Sequence, residues 1–308
     1  MKAMILAAGY GTRLRPLSYT LSKPMLPLGG QPLIGWLVDS LVSAGADEIV
    51  VNLHHLPLQI EGYLPARFPD IRFHFSREPE ILGTGGGLRK VRAVLERDDD
   101  FFLINGDTFQ RPKFDDLRRL RREREALAAL TLRHAPSGDR YTAVWEENGL
   151  VTGYGQGRGQ SLMFSGSHCV ASRIFRYIPD RDFSEITGDV YQPLVKNGTE
   201  KVAAVINEDP MWFDLGTAER YLRAARAFGK TIGVSVIEGQ IRDSVVMDEC
   251  FIGRGVVLEN CIVAHGVEMR TPVKLHNAIV CNDDPAIPRD PNYRFEDGLV
   301  IAPFEARI

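Results

Sequence analysis

Apolar positions in the first two thirds of the chain fall into short blocks with two alternating spacings. Ala3 to Ala7, Glu48 to Asn52, Ile71 to Phe75, Phe101 to Ile104 and Ala126 to Leu132 are brief apolar or β-branched runs. Runs of this length predict strands, and near-continuous ones predict strands buried on both faces. Tyr141 to Thr152 and Ser161 to Val170 predict two more strands, joined by the glycine-rich stretch Gly153 to Gly159. Between the strands lie helical spacings: Pro32 to Ala44 (stopped by Gly45), Leu58 to Leu64, Gly86 to Leu95, Phe114 to Glu125, and Thr217 to Phe228 (stopped by Gly229). Strands alternating with helices predict βαβ units, hence an α/β fold with a Rossmann-like, mostly parallel sheet. Ligands of such sheets bind beyond the carboxyl ends of the strands, so the loops after Ala7 and after Ile104 are where chemistry is expected.

Past Gly229 the helical period vanishes. Short β-branched clusters recur at Ser244-Val245-Val246, Asn260-Cys261-Ile262-Val263 and Asn277-Ala278-Ile279-Val280, starting 16 and then 17 residues apart. The texture resembles hexapeptide repeats of a short left-handed β-helix, whose coils stack to bury a shared core. The Pro- and Asp-rich stretch from Asn282 to Pro303 reads as its cap or tail. The pattern divides the chain into an α/β domain over 1–228 and a β-helix-like extension over 229–308, the latter an expected oligomerisation or packing module.

Composition changes this picture little. The 308 residues are 44% hydrophobic and 25% charged, with 37 Lys+Arg against 40 Asp+Glu. A net charge near zero argues against a nucleic-acid binder, whose footprint is basic. No apolar run approaches the length of a membrane span, and Met4 to Ala8 is too short for a signal core, so a cytoplasmic protein without a membrane partner is expected. The cysteines 169, 250, 261 and 281 lack C-x-x-C spacing, which argues against a zinc or redox site and predicts reduced, buried thiols. One local imbalance is informative. Met1 to Val38 has no Asp or Glu but carries Lys2, Arg13, Arg15 and Lys23, which points to an anion near this segment.

The strongest motif runs from Leu6 to Ile34, LAAGYGTRLRPLSYTLSKPMLPLGGQPLI. Gly9 and Gly11 allow close backbone approach to phosphate oxygens. Arg13 can grip two oxygens at once, while Lys23 is a point charge. Leu14 at the third glycine position excludes a Rossmann dinucleotide fingerprint, and Ala224 excludes a Walker loop ending at Gly229-Lys230-Thr231. His54-His55 and the arginine-rich run Arg118 to Arg124 read as structural and as a solvated helix face, respectively.

The segment resembles the G-x-G-T-R-L-x-P-L…P-K-P signature of the sugar-1-phosphate nucleotidylyltransferases, with Ser22 where the family usually has proline. Three further blocks match in order: Leu82-Gly83-Thr84-Gly85-Gly86-Gly87, Asn105-Gly106-Asp107, and Trp212-Phe213-Asp214-Leu215-Gly216-Thr217. Phe183 to Leu194 is similar to the family's E-I-T-D-V segment with one extra glycine. The likeness covers Met1 to Phe228. It implies the family's nucleotide-diphospho-sugar transferase fold, a nucleoside triphosphate and a sugar 1-phosphate as substrates, and Mg²⁺ as cofactor. It further implies Arg13 and Lys23 as catalytic cations, Ala8, Gly9, Gly11, Thr12, Gly83, Thr84 and Gly85 around the nucleotide, and Asp107 and Asp214 as metal ligands. Hard carboxylate oxygens suit Mg²⁺, which commonly takes one or two of them plus substrate phosphates.

On the sugar side the resemblance implies Asn105, Thr142, Ser165, Gly166 and Glu185. The family's Glu-Lys-Pro element, whose lysine binds the sugar phosphate, is replaced by Gly153 to Gly159, leaving Arg158 as the cation there. Glu78 and Glu80 precede Leu82 to Gly87, which resembles the family's base-contacting loop, and carboxylates suit the N–H donors of guanine. The T-G-G-G pattern resembles the muramate-1-phosphate uridylyltransferase branch, whereas the tail resembles the mannose-1-phosphate guanylyltransferase branch. Guanylyl transfer to a mannose-like sugar is favoured slightly over uridylyl transfer. Two other classes stand beside these: a non-catalytic NDP-sugar sensor, and a bifunctional acyltransferase using the tail, whose histidines are His265 and His276.

Overall fold

The computed structural model describes residues 1–137, 139, 141–229 and 234–305. Lys230 and Thr231 of the rejected Walker-like triplet lie outside the described residues. By packing, the chain separates into two compact units. One comprises Met1–Gly9, Gly35–Gly106 and Gln110–Trp212; the other comprises Tyr10–Ile34, Asp107–Phe109 and Phe213–Ile308.

The first unit is built on a nine-stranded sheet. Arg72–Arg77, Glu48–Leu53, Lys2–Leu6 and Asp100–Asn105 lie side by side and parallel, Met4 pairing with both Val50 and Leu103. The three inner strands are nearly free of solvent, with Ala3, Met4, Ile5, Val50, Leu103 and Ile104 fully buried, whereas the edge strand Arg72–Arg77 is partly exposed. A continuous apolar run is what burial on both faces demands. The other half departs from the mostly parallel expectation. Gln160–Ala171 runs antiparallel to Asp100–Asn105 and to Ala128–Arg133, and Val202–Ile206 then runs parallel to Ala128–Arg133. The sheet is therefore mixed. The stretch expected as one strand at 141–152 contains a hairpin turn at Asn148-Gly149, both at positive φ, between Ala143–Glu147 and Leu150–Tyr154. Asn and Gly tolerate that region, so the chain reverses there. The helix Phe114–Glu123 packs on Ala128–Arg133, Gln160–Ala171 and Val202–Ile206. Its arginines are not all solvated: Arg118, Arg121 and Arg122 converge on Asp100, which is 1% exposed.

The extra glycine of the Phe183–Leu194 block is absorbed locally. Ile186–Tyr191 forms a π-helical turn, with Gly188 exposed. One residue inserted into a helix is commonly accommodated in this way. Ile186, Val190 and Tyr191 consequently all remain in the core.

In the second unit, among the described residues, short strands stack in three parallel sheets. Val245 pairs with Ile262 and Ile262 with Ile279, while Ile241, Leu258 and Leu275 align in the same way, a 17-residue repeat on these two faces; on the third, Val236 pairs with Phe251 after 15 residues and Phe251 with Glu268 after 17. Asp243, Asn260 and Asn277 recur at that interval with φ of 48°, 54° and 51°. They are corner residues, chosen because Asn and Asp enter the left-handed region at low cost. The side chains of Asn260 and Asn277 bond to each other. Leu299–Pro303 then folds back antiparallel on Ala278–Asn282, with Arg294–Glu296 outside it. All four cysteines are free and buried. No helix among the described residues is long and apolar enough to cross a membrane.

Candidate functional site

The second unit brings together both cations and both carboxylates that the sequence singles out. Gly11 has φ of 63° and caps the short 3-10 turn Thr12–Leu14. A side chain there would be strained and would press on Ser18 and Lys23, whose Cβ atoms lie 3.3 and 3.4 Å from the position of a Cβ. Thr12 and Arg13 are exposed on this turn. Lys23 is 8% exposed and donates from Nζ to Asp107 Oδ2 at 2.8 Å.

Asp107 follows the strand Asp100–Asn105 and precedes the two-residue strand Thr108–Phe109, which pairs antiparallel with Phe213–Asp214. The rung Thr108–Asp214 and the bond from Leu215 N–H to the Asp107 carbonyl, at 3.1 Å, fix the two aspartates as neighbours. Burial works to raise the Asp107 pKa, but the Lys23 charge and hydrogen bond, the Thr108 hydroxyl and the Arg13 charge outweigh it. The carboxyl is held below its ordinary range, ionised and half-exposed. Asp214 accepts from Gly216 N–H at 2.7 Å and pairs with Arg220. Gly216 leaves the space for Arg13, whose Nη2 stands 2.7 Å from where a Cβ would be, with Asp214 Oδ1 at 2.8 Å. Thr217 caps the helix Ala218–Ala227 through its hydroxyl. Its first turn supplies Arg220, a partner of Asp214 that the motifs did not reveal; a cation six residues on becomes a neighbour only once Gly216 and Thr217 turn the chain.

Arg13, Lys23, Asp107 and Asp214 thus form a cluster of two cations and two anions. Among the described residues no group of three or more His, Cys, Asp or Glu side chains gathers as a self-sufficient metal cage. The donor set still fits Mg²⁺, which binds through a carboxylate or two and completes its shell with phosphate oxygens and water.

The first unit carries the remaining sequence candidates. Ala7 and Ala8 are buried where the strand Lys2–Leu6 ends, and Gly9 is exposed. Asn52, absent from the motifs, ties this turn down: its Oδ1 accepts from Ala7 N–H at 2.8 Å and its Nδ2 donates to Glu78 Oε1 at 2.8 Å. Glu78 is 2% exposed, and its other oxygen accepts from Leu82 N–H at 3.0 Å. Both oxygens of Glu78 are committed to the protein, so it holds the turn into the helix Gly83–Lys90 in place; Glu80 is exposed.

Gly83 (φ 72°) opens the helix Gly83–Lys90 against Ser184, and a Cβ on it would come within 2.5 Å of the Ser184 carbonyl. Gly85 N–H donates to that carbonyl at 2.8 Å. Thr84 Oγ1 donates to Glu185 Oε2 and accepts from Ile186 N–H, each at 2.8 Å. A nucleotide-side and a sugar-side candidate therefore sit in direct contact.

Asn105 ends its strand beside Gly166, which has φ of 109° at an irregularity in the pairing of Gln160–Ala171 with Ala128–Arg133. Ser165 is buried, its hydroxyl donating to the Thr131 carbonyl at 3.0 Å and its carbonyl accepting from Trp212 Nε1 at 2.9 Å. Thr142 and Arg158 are exposed; Arg158 bonds through its backbone to the Thr152 hydroxyl. His54 Nδ1 lies 2.6 Å from the Glu78 carbonyl.

Comparison with known proteins agrees with this geometry. Residues 2–231 match the model of the family described as nucleotidyl transferase, and the chain belongs to that family. It is 31% identical over 246 residues to a UTP–glucose-1-phosphate uridylyltransferase of Synechocystis, covering 73% of this chain and 63% of that protein. It is 42% identical over 110 residues to a mannose-1-phosphate guanyltransferase of Aspergillus fumigatus, covering 35% of this chain and 30% of that one. The chain thus spans less than two thirds of these relatives' length. Among solved structures, HddC from Yersinia pseudotuberculosis complexed with GMP-PN superposes with a TM-score of 0.61 at 23% identity, over 74% of this chain and 99% of that one. A putative glucose-1-phosphate thymidylyltransferase from Bacillus anthracis gives 0.65 at 20%, over 74% and 95%. These structural likenesses establish a shared α/β fold with a mixed sheet.

Proposed function

We propose that the chain is a sugar-1-phosphate nucleotidylyltransferase, converting a nucleoside triphosphate and a sugar 1-phosphate to an NDP-sugar and pyrophosphate. The observation that carries this reading is the assembly of Arg13, Lys23, Asp107 and Asp214 around one two-stranded ladder. A sugar phosphate is anionic near neutral pH, so its oxygen needs no strong base to attack the α-phosphorus. The new P–O bond forms as the bond to the β-phosphate oxygen breaks, and pyrophosphate leaves with that electron pair. Work of this kind is alignment and charge stabilisation.

Arg13, on the exposed turn, and Lys23, buried but ion-paired, neutralise negative charge that grows on the polyphosphate. Asp107 and Asp214 would hold Mg²⁺, which when bound polarises phosphoryl oxygens. In this reading Lys23 and Arg220 hold the two carboxylates oriented until phosphate oxygens arrive. Ala8, Gly9, Gly11 and Thr12 serve the triphosphate, and Gly83, Thr84 and Gly85 the base side. Asn105, Thr142, Arg158, Ser165, Gly166 and Glu185 serve the sugar phosphate.

For the base, guanine on a mannose-like sugar is the favoured reading, supported by the guanyltransferase relatives. Its carboxylate argument now rests on Glu80, since Glu78 is committed internally. Uridylyl transfer is the second reading, favoured by the 246-residue match to the uridylyltransferase. Pyrophosphate release over a grid of the common NTPs and several sugar 1-phosphates, with Mg²⁺, tests both; a clear preference for UTP or dTTP overturns the guanylyl reading. The stacked coils fit a left-handed β-helix with a packing or oligomerisation role.

A further inference from the structure

We infer that Gln110 determines which sugar 1-phosphate is accepted, its side-chain amide receiving a ring hydroxyl of the sugar. The inference rests on the sugar-side reading of Asn105 and Gly166 and deepens it. Gln110 directly follows the strand Thr108–Phe109 and is 5% exposed. Both polar atoms of its amide, Oε1 and Nε2, are buried, and neither has a hydrogen-bond partner among the described residues. Buried polar groups are nearly always paired, so an orphan amide calls for an explanation.

The amide has a definite address. Its Nε2 lies 3.0 Å from the point that a Cβ on Gly166 would occupy, with Asn105 Cβ at 3.3 Å and Asn105 Nδ2 at 3.4 Å from the same point. All three residues belong to the first compact unit. A side chain at position 166 would press on both amides, and the φ of 109° there suits glycine. The corner is pinned on either side of the glycine. Ser165 bonds to the Thr131 carbonyl, and Ser167 Oγ donates to the Thr131 hydroxyl at 2.7 Å. Ser167 also pairs with Ile104, on the strand that ends in Asn105. The ladder with Ala128–Arg133 is interrupted between Phe164 and His168, so Gly166 turns the chain there as bare backbone. Asn105 is half-buried and Gln110 buried, a shallower and a deeper amide around one glycine.

The chemistry of the group selects its ligand. An amide presents one donor face and one acceptor, which matches a hydroxyl, a group that both donates and accepts. It carries no charge, so it suits the sugar ring better than the phosphate. An apolar side chain of the same shape would fill this place without leaving polar atoms unpaired. Sequences break such a local rule where function requires it. A site built to bond a substrate hydroxyl also rejects an analogue that lacks it, because its own polar group is then left unpaired.

The test compares wild type with Gln110→Met, which keeps the length of the side chain and removes its amide, and with Gln110→Leu as a second apolar replacement. The probes are the best sugar 1-phosphate of the substrate grid and its monodeoxy analogues. Wild type is expected to reject one of these analogues by about a hundredfold or more in kcat/KM. Gln110→Met should lose about tenfold or more with the parent sugar and accept that analogue as readily as the parent. Its KM for the NTP stays unchanged, and it melts no lower than wild type. Calorimetric titration with the sugar 1-phosphate, in the presence of an NTP analogue with a methylene α,β bridge, is free of turnover; there Gln110→Met binds the sugar more weakly. A lowered melting temperature in both variants means that the amide is satisfied internally, by an ordered water, and overturns the inference. A variant that melts normally yet still rejects the analogue, or binds the sugar as tightly as wild type, overturns it too. A wild-type protein that releases no pyrophosphate with any substrate pair refutes the transferase reading instead, and the titration still decides whether Gln110 holds sugar.

Discussion

Asp214 stands opposite Thr108 on a two-residue antiparallel ladder, and the Leu215 N–H bonds to the Asp107 carbonyl at 3.1 Å. Two carboxylates separated by more than a hundred residues of chain are thereby fixed as neighbours by backbone alone. Replacing either by asparagine keeps the shape and removes one negative charge. Asp107→Asn and Asp214→Asn are each expected to lower turnover by about a hundredfold or more, the scale of losing one electrostatic stabiliser. Both should raise the Mg²⁺ concentration needed for half-maximal rate. Pyrophosphate release titrated with Mg²⁺ checks this; unaltered metal dependence in both variants contradicts it.

Gly11 combines a φ of 63° with a close approach to Ser18 and Lys23. Gly11→Ala is expected to cost about 1–2 kcal/mol of stability from left-handed strain alone. It should also cost activity, because the added carbon presses on the residue that holds Asp107. Thermal unfolding together with kcat/KM tests the pair of effects. Gly188→Ala serves as the control, since a Cβ there meets nothing within 4 Å.

Glu78 and Glu80 should separate by role. Glu78→Ala leaves Asn52 Nδ2 and Leu82 N–H without their acceptor, and a buried group left unpaired costs about 1–3 kcal/mol. Its signature is a lowered melting temperature with the order of preference among NTPs retained. Glu80→Gln, at an exposed position, should alter nucleotide preference without a melting change. Exchanged outcomes for the two would mean that Glu78 is released from its internal partners to read the base.

His168 is 1% exposed, lies 3.1 Å from the Tyr191 hydroxyl, and is pushed down by burial to a pKa of about 3. The folded protein keeps it neutral while the unfolded chain binds a proton near pH 6.5, so stability rises with pH between those values. At pH 5 the native state is expected to have lost about 2 kcal/mol through this residue relative to pH 8. Denaturant unfolding of wild type and His168→Gln across pH 5 to 8 measures it. Parallel pH profiles for the two proteins would remove His168 from the account.

Much of this organisation was written in local pattern. Gly11 and Gly216 stand where backbone must bend or make room, and Asn260 and Asn277 mark coil corners through residue type. Strand direction was less legible: Gln160–Ala171 looks like any apolar strand, and only its pairing with Asp100–Asn105 shows that it runs backward. Val202–Ile206, not anticipated, has no alternation to mark it because it is a short inner strand. The Glu78 commitment depends on Asn52, distant in sequence, and the Asp214–Arg220 pair on a turn at Gly216. Such roles are set by long-range packing, to which a periodicity reading is blind.

The central claim is nucleotidyl transfer by the Arg13–Lys23–Asp107–Asp214 cluster. Its most direct test is pyrophosphate release by the purified protein with Mg²⁺, measured with NTP alone, sugar 1-phosphate alone, and both together, in wild type and Asp107→Asn. The account predicts release only when both substrates are present and a loss of about a hundredfold in the variant. Binding of an NDP-sugar without pyrophosphate release from any substrate pair, or equal release by the two proteins, would contradict it.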